Sequence, residues 1–176
     1  MRIGKAVLAA AALAAAAAYT RHAVRETERN HPPTGRFVTT RQGVRLHYER
    51  HGKGRPVILL HGASTQLRDM TSSLLPVLVE KYEVFAFDRP GHGYSQRLLG
   101  HPTARAQALA IHDAARLLRL ERPVVIGHSA GAAVALAYGM MFPDDVTGIV
   151  LLSGAAYPEI PKGAWVLAGA ALPLVG

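Results

Sequence analysis

A serine stands at the centre of a five-residue Gly-x-Ser-x-Gly pattern, Gly127-His128-Ser129-Ala130-Gly131. The apolar run Val124 to Ile126 precedes the pattern, and an Ala-rich stretch typical of a helix follows it. A sharp strand-to-helix turn projects its central side chain in a strained conformation and requires small flanking residues. Because Gly127 and Gly131 meet that requirement, the pattern predicts that Ser129 is a nucleophile. The new helix would also direct the N–H of Ala130 towards negative charge developing at the serine.

Two other apolar runs end in turns that could contribute to the same site. Val57 to Leu60 is followed by His61-Gly62-Ala63-Ser64. This places a glycine turn with free backbone N–H groups at a strand carboxyl end, where open α/β sheets build their sites. The next strand ends in Asp88-Arg89-Pro90-Gly91-His92-Gly93. We expect Asp88 to organise that turn, because Asp readily accepts hydrogen bonds from nearby backbone N–H groups.

The histidines of these segments are predicted to have structural roles. We expect His61 and His92 to hydrogen-bond within their turns. We expect His128 to pack beside the strand-to-helix turn of residues 127–131, which is called the elbow. Their spacing with carboxylates does not indicate a preformed metal site. The glycine pairs around His92 and Lys53 lack the residues that nucleotide-binding loops require. The sequence therefore predicts no metal and no cofactor.

The elements that must position these residues alternate between strands and helices. An antiparallel hairpin is predicted first, and four continuous apolar runs are typical of buried strands. The strands are predicted at Phe37 to Thr40, Val44 to Glu49, Val57 to Leu60, Val84 to Phe87, Val124 to Ile126 and Ile149 to Leu152. The helices are predicted at Thr71 to Lys81, Thr103 to Leu120 and Ala130 to Phe142. In the second helix, an apolar stripe interrupted by Asp113 is formed by Ala106, Leu109, Ala110, Leu117 and Leu120. This order predicts an α/β fold with a mostly parallel twisted sheet of about six strands and helices on both faces.

From about Phe37 to Gly154, the chain resembles the α/β-hydrolase superfamily, in particular its cap-bearing branch. The resemblance rests on the opening hairpin, the His-Gly turn, the segment beginning at Asp88, the elbow around Ser129 and the strand that follows. It implies a nucleophilic Ser129 and an oxyanion hole made by the backbone N–H groups of Ala63 and Ala130. Related epoxide hydrolases and haloalkane dehalogenases have Asp at the elbow. Ser129 therefore favours hydrolysis of an ester-like small molecule through an acyl-enzyme.

The resemblance also implies an acid and a histidine after the serine in chain order. All nine histidines precede Ser129, and the acids after it are Asp144, Asp145 and Glu159, none of which matches the family's acid. A serine without its base is a poor nucleophile, so we expect this chain by itself to be inactive. The simplest interpretation is a C-terminally truncated serine hydrolase whose last strand, Ile149 to Leu152, is an exposed apolar edge.

Two other hypotheses remain open at this point. The chain could be a non-catalytic binding protein that keeps the fold and its pocket but has lost the triad. A partner chain could also complete the sheet and supply the histidine in trans. Substrate and oligomeric state are not predicted by the sequence.

The positive charge of the chain lies in its N-terminal third. Residues 1–55 carry 11 basic and 3 acidic residues, whereas residues 56–176 carry nine of each. A nucleic-acid-binding domain would have its basic face on the folded body, so a nucleic-acid partner is not expected. With no Cys in the chain, disulfides and thiolate metal sites are excluded.

The first 20 residues are predicted to be a hydrophobic signal or anchor segment. Basic residues flank an uncharged, Ala-rich run from Ala6 to Tyr19. This pattern favours membrane association or export over a soluble helix, with a cleaved signal and an uncleaved anchor both open. Residues 21–36 are predicted to be a polar linker, residues 37–160 a partial hydrolase core, and residues 161–176 the start of a helical cap.

Overall fold

The computed structural model describes residues 2–100 and 102–154. Residues 1–33 belong to a unit separate from the one that runs from Thr34 to Pro158. Residues 161–176, predicted to start a cap, and Glu159 lie outside the described residues. The unit from Thr34 to Pro158, here called the body, contains the sheet and the candidate site.

Helix α1, Arg2–Asn30, is the only regular element described within residues 2–33. Alanine has the highest helix propensity, and the helix ends before the pair Pro32-Pro33, which cannot continue it. The helix includes the first ten residues of the predicted linker, whose Arg and Glu residues are also good helix formers. The linker and the signal or anchor segment stay predictions. Among the described residues, no helix combines the length and apolar character needed to cross a membrane.

The body contains a six-stranded sheet in the order β1-β2-β4-β3-β5-β6. The strands are β1 Arg36–Thr39, β2 Arg45–Gly52, β3 Arg55–Leu60, β4 Tyr82–Phe87, β5 Val124–His128 and β6 Gly148–Leu152. The hairpin β1-β2 and the β2-β4 pair are antiparallel, whereas β4, β3, β5 and β6 run parallel to one another. The predicted mostly parallel sheet is confirmed.

Helices cover both faces of this sheet, as predicted. The helices of the body are α2 Leu67–Leu78, α3 Ala104–Leu117 and α4 Ala130–Met141, with a 3₁₀ turn at Pro143–Asp145. Ile58 and Leu60 of β3 face a core built with α3 and α4. Val57 and Leu59 face the opposite core, which includes Leu67 and Met70 of α2. This alternation follows from the two-residue period of a strand.

Helix α2 begins four residues earlier than predicted. The Asp88 carboxylate accepts a hydrogen bond from the N–H of Leu67 at 2.8 Å, which satisfies one of the unpaired donors at the start of the helix. Leu67 and Met70 are buried in the same turn. A contact across 21 residues, rather than a local capping residue, therefore determines where α2 begins.

The predicted apolar stripe of α3 is correct in part, because Ala110 is buried and Ala106 and Leu120 are partly buried against the core. Leu109 and Leu117 are exposed, and the buried positions are Gln107, Ala108, Ala110, Ile111, Ala114 and Ala115. These are mostly small residues, and the helix packs into the same core as Ala135 of α4. Small side chains allow close packing of the helix, so the larger leucines on the neighbouring faces remain outside.

Strand β6 lies at one edge of the sheet formed by the described residues, and its apolar side chains are partly exposed, as predicted. Ile149, Val150 and Leu151 are each about two-fifths exposed. The backbone of β6 nevertheless reaches the candidate site, because the carbonyl oxygen of Leu152 accepts a hydrogen bond from the N–H of Ser129 at 2.9 Å.

Candidate active site

Ser129 occupies the turn between β5 and α4, and its backbone conformation is strained. Its φ is 50° and its ψ is −113°, a region that non-glycine residues rarely adopt. The turn is fixed on both sides, because the N–H of Ser129 is bonded to Leu152 and its carbonyl oxygen accepts from the N–H of Ala132 at 3.0 Å. The predicted strand-turn-helix context of Ser129 is present.

The glycines on both sides of Ser129 are required by close approach of the backbone. A Cβ atom at Gly127 would overlap the carbonyl group of Gly131. A Cβ atom at Gly131 would overlap the carbonyl groups of Leu60 and His61. The second approach brings the start of α4 against the end of β3, so these two turns form one compact structure.

The His-Gly turn lies directly beside the serine. The position that a Cβ atom would take on Gly62 is 3.4 Å from the Cβ of Ser129 and 3.2 Å from Nδ1 of His128. Among the described residues, the N–H of Ala63 has no hydrogen-bond partner. Ala130 is the first residue of α4, where backbone N–H groups have no partner within the helix. Two unpaired backbone donors therefore occur in the two turns that meet at Ser129.

His61 is fully buried and connects the turn after β3 to the turn after β4. Its Nε2 accepts a hydrogen bond from the N–H of Arg89 at 2.9 Å, so its Nδ1 carries the proton and donates to the carbonyl oxygen of Gly62, also at 2.9 Å. Burial, together with the positive charge of Arg89, lowers the pKa of His61 to about 4. The ring is therefore neutral at physiological pH.

Asp88 is buried and joins three segments of the body. One carboxylate oxygen accepts from the N–H of Leu67, and the other accepts from Nδ1 of His47 at 2.8 Å and from the N–H of Tyr94 at 3.0 Å. Burial raises the pKa of the Asp88 carboxyl, but these hydrogen bonds outweigh it, so the pKa lies below its usual value. With both oxygens occupied in this way, Asp88 has the contacts expected of a turn organiser.

His128 packs beside the elbow, with its ring against Gly62, but it is not enclosed there. Its side chain is two-fifths exposed, and its Nδ1 is 3.7 Å from a carboxylate oxygen of Asp69 on α2. The sequence prediction began α2 after Asp69, so no local pattern indicated this pair. The structure therefore adds a His-Asp pair beside the serine.

His92 makes a hydrogen bond within the turn after β4, as predicted. Its ring packs edge-on against His61 with ring centres 5.3 Å apart, and its Nδ1 lies 3.3 Å from the carbonyl oxygen of Pro90. Burial, followed by the charge of Arg89, lowers the pKa of His92. Within the described residues, no three His, Asp or Glu side chains are grouped as metal ligands.

The acids after Ser129 that the structure describes are not beside it. Asp145 lies in the 3₁₀ turn before β6, where it accepts from Nε2 of His112 at 2.8 Å. Ser129 follows β5, which is parallel to β6. Asp144 and Asp145 are therefore at the end of the sheet opposite to Ser129.

Two surface clefts of the body lie away from the serine. One, of about 510 Å³, is lined by residues around the end of α3, including Arg116, Arg119 and Tyr138. The other, of about 610 Å³, is lined by residues of the first hairpin and its surroundings, including Arg36 and Lys53. Neither contains a residue of the elbow or the His-Gly turn.

The chain is similar in sequence to known proteins. The sequence profile of the family described as alpha/beta hydrolase fold matches residues 55–173. The chain is 35% identical over 107 residues to a non-heme haloperoxidase of Rhodococcus erythropolis, covering 58% of this chain and 37% of that protein. It is 30% identical over 120 residues to the 2-hydroxy-6-oxo-6-(2'-aminophenyl)hexa-2,4-dienoic acid hydrolase of Metapseudomonas resinovorans, covering 66% and 41%.

A solved structure of a thermophilic esterase from Thermogutta terrifontis superimposes on this chain with a TM-score of 0.65 at 30% identity. The superposition covers 72% of this chain and 48% of the esterase. The chain thus spans less than half the length of each of these three relatives.

Proposed function

The chain belongs to the alpha/beta hydrolase fold family, and from this premise we propose that it carries the nucleophile and oxyanion hole of a serine hydrolase acting on ester-like small molecules. The observation that carries the proposal is the strained Ser129, with φ of 50°, between two turns whose Ala63 and Ala130 N–H groups have no hydrogen-bond partner among the described residues. The hydrolases among its relatives support the same reaction class.

The proposed chemistry proceeds through a covalent intermediate. The Oγ of Ser129 attacks the carbonyl carbon of an ester and loses its proton to a base, and the carbonyl oxygen becomes an oxyanion. The N–H groups of Ala63 and Ala130 would donate to that oxygen, which is where the negative charge develops. The C–O bond to the alkoxy group then breaks, and that oxygen takes the proton from the base to leave as the alcohol. Water hydrolyses the acyl-enzyme to the free acid and Ser129. We assign no general base among residues 2–100 and 102–154, the part of the chain that the structure describes.

Ester hydrolysis by the natural protein containing this chain tests the proposal. Replacing Ser129 by Ala should lower kcat on a 4-nitrophenyl ester on the order of 10⁶-fold, because the nucleophile and its partners act as a unit. Ser72→Ala, at an exposed position of α2, is the matched control and should leave kcat unchanged. Hydrolysis that survives in Ser129→Ala would refute the proposed nucleophile. A folded wild type that binds esters without hydrolysing them would favour a non-catalytic binding protein.

We also propose that residues 1–20 direct the protein to the membrane or to export. The basic residues Arg2 and Lys5, the uncharged run after them and the basic residues that follow support this proposal. Fractionation of expressing cells without detergent tests it. Recovery of the product in the membrane fraction or in a processed, exported form is expected, and a wholly soluble, uncleaved product would contradict it.

A further inference from the structure

Arg89 is a buried cation directly behind the His-Gly turn. Its side chain is 3% exposed, and no carboxylate of the described residues lies within 4.0 Å of it as an ion-pair partner. Burial lowers the pKa of Arg89 to about 10, so the guanidinium remains charged at neutral pH. Burying an unpaired charge is costly. Its position in the body therefore needs an explanation beyond packing.

The guanidinium instead donates to uncharged acceptors in the turn after β3 and on α3. Its Nε donates to the carbonyl oxygen of His61 at 2.7 Å, and one Nη donates to the carbonyl oxygen of Gly62 at 2.8 Å. The other Nη donates to the side-chain oxygen of Gln107 on α3, again at 2.8 Å. The rigid fork of Arg thus holds two successive carbonyl groups of one turn.

The carbonyl oxygen of Gly62 accepts hydrogen bonds from three side chains. It accepts from Arg89, from Nδ1 of His61 at 2.9 Å and from the hydroxyl of Thr65 at 3.2 Å. The His61 ring is itself fixed by the N–H of Arg89, which occupies its Nε2. Arg89 therefore controls the orientation of this carbonyl group both directly and through His61.

The Gly62 carbonyl and the Ala63 N–H belong to the same peptide group. A trans peptide is planar, and its C=O and N–H point in opposite directions. The body contains no cis peptide among the described residues. Fixing the Gly62 oxygen on the buried side therefore fixes the direction of the Ala63 N–H on the other side. Hydrogen bonds to the oxygen also polarise the peptide and make its N–H a stronger donor.

We propose that Arg89 is the positioning residue of the oxyanion hole: its buried guanidinium orients and polarises the peptide group that presents the Ala63 N–H beside Ser129. The inference rests on the proposed function, in which that N–H binds the oxyanion. It gives the buried cation a role in the reaction, because the positive charge lies behind the peptide whose N–H binds developing negative charge.

Arg89→Met and Arg89→Lys in the natural protein containing this chain test the role. Met removes both the charge and the fork, and we expect kcat on a 4-nitrophenyl ester to fall about 10²-fold, the scale of losing one oxyanion donor. KM should change much less, because the ester carbonyl carries little charge before attack. Lys keeps the charge but not the fork, so it should lie between Met and wild type. Arg105→Met, at an exposed position of α3, is the matched control.

Affinity for a boronic acid separates this role from simple stabilisation of the fold. The boronic acid forms a tetrahedral adduct on Ser129 whose oxygen occupies the oxyanion hole, so its inhibition constant should rise with the loss of kcat in the Arg89 variants. Thr65→Val offers a milder second variant, since it removes one of the three donors to the Gly62 oxygen. We expect a several-fold loss of kcat from Thr65→Val and none from Thr71→Val on α2.

The inference is overturned if folded Arg89→Lys and Thr65→Val keep wild-type kcat and boronic acid affinity, or if KM rises while kcat stays constant. If Arg89→Met does not fold, Arg89→Lys and Thr65→Val still decide the question. A wild-type protein that neither hydrolyses esters nor binds the boronic acid at Ser129 would refute the proposed function itself, which is a different outcome.

Discussion

Acidification should destabilise the body before its carboxylates titrate. The pKa of His61 falls from 6.5 to about 4 on folding, so between these values the unfolded chain binds a proton that the folded protein does not. The free energy of unfolding therefore decreases as the pH falls through this window, by up to about 1.4 kcal/mol per pH unit and about 3 kcal/mol in total. His92, whose pKa is also lowered, contributes with the same sign.

Urea unfolding monitored by circular dichroism, from about pH 7 to about pH 4.5, measures this slope. The described carboxyls with lowered pKa values, those of Glu49, Asp88 and Asp145, titrate below their ordinary values of 4.5 and 3.8 and do not affect the upper part of the window. His61→Gln keeps an acceptor for the N–H of Arg89 and a donor for Gly62 but cannot titrate. The unfolding free energy of His61→Gln should therefore change less steeply with pH, by up to about 1.4 kcal/mol per pH unit, which corresponds to one proton.

His22→Gln, in helix α1 outside the body, is the control for replacing a histidine by glutamine elsewhere in the chain. A stability that stays constant between about pH 6.5 and pH 4.5 would refute the reasoning, because a buried neutral histidine cannot avoid this linkage. An unchanged slope in folded His61→Gln would show that another group is responsible.

Three further changes test the turns around the site. Gly131→Ala should cost about 2 to 3 kcal/mol of unfolding free energy, because the new Cβ overlaps the carbonyl oxygen of Leu60; denaturant unfolding checks this, and wild-type stability would contradict the close approach. Asp88→Asn should cost about 3 kcal/mol, since one of its oxygens becomes a donor facing buried donors; a change below about 1 kcal/mol in urea would contradict this account. Arg119→Gly should stabilise the body by about 1 kcal/mol, because Arg119 follows α3 with φ of 58°; an unchanged urea midpoint would contradict it.

The strands and the elbow were predictable because their signals are local. A short continuous apolar run such as Val57 to Leu60 is typical of a strand that is buried on both faces of a sheet. The glycines beside Ser129, between a predicted strand and a predicted helix, indicate a sharp turn. The order of strands and helices then predicts their parallel arrangement and the covering of both faces. The fold and the strand-turn-helix position of Ser129 could therefore be predicted from the sequence.

The remaining features depend on contacts between distant residues. The start of α2 depends on Asp88, the His128 pair on Asp69 of that same helix, and the buried face of α3 on how closely small residues allow it to pack. Arg89 lies in the turn after β4, and only the fold shows that it bonds the carbonyl groups of another turn 27 and 28 residues away. Such partners leave no periodic pattern in the sequence.

The most direct measurement of the central claim is the site of covalent reaction with a fluorophosphonate. The Oγ of Ser129 would displace fluoride from phosphorus, so the natural protein containing this chain should gain one adduct, mapped by peptide mass spectrometry to Ser129 and absent from Ser129→Ala. No adduct on folded protein, or an adduct at another serine such as Ser64 or Ser153, would contradict the assignment of Ser129 as the nucleophile.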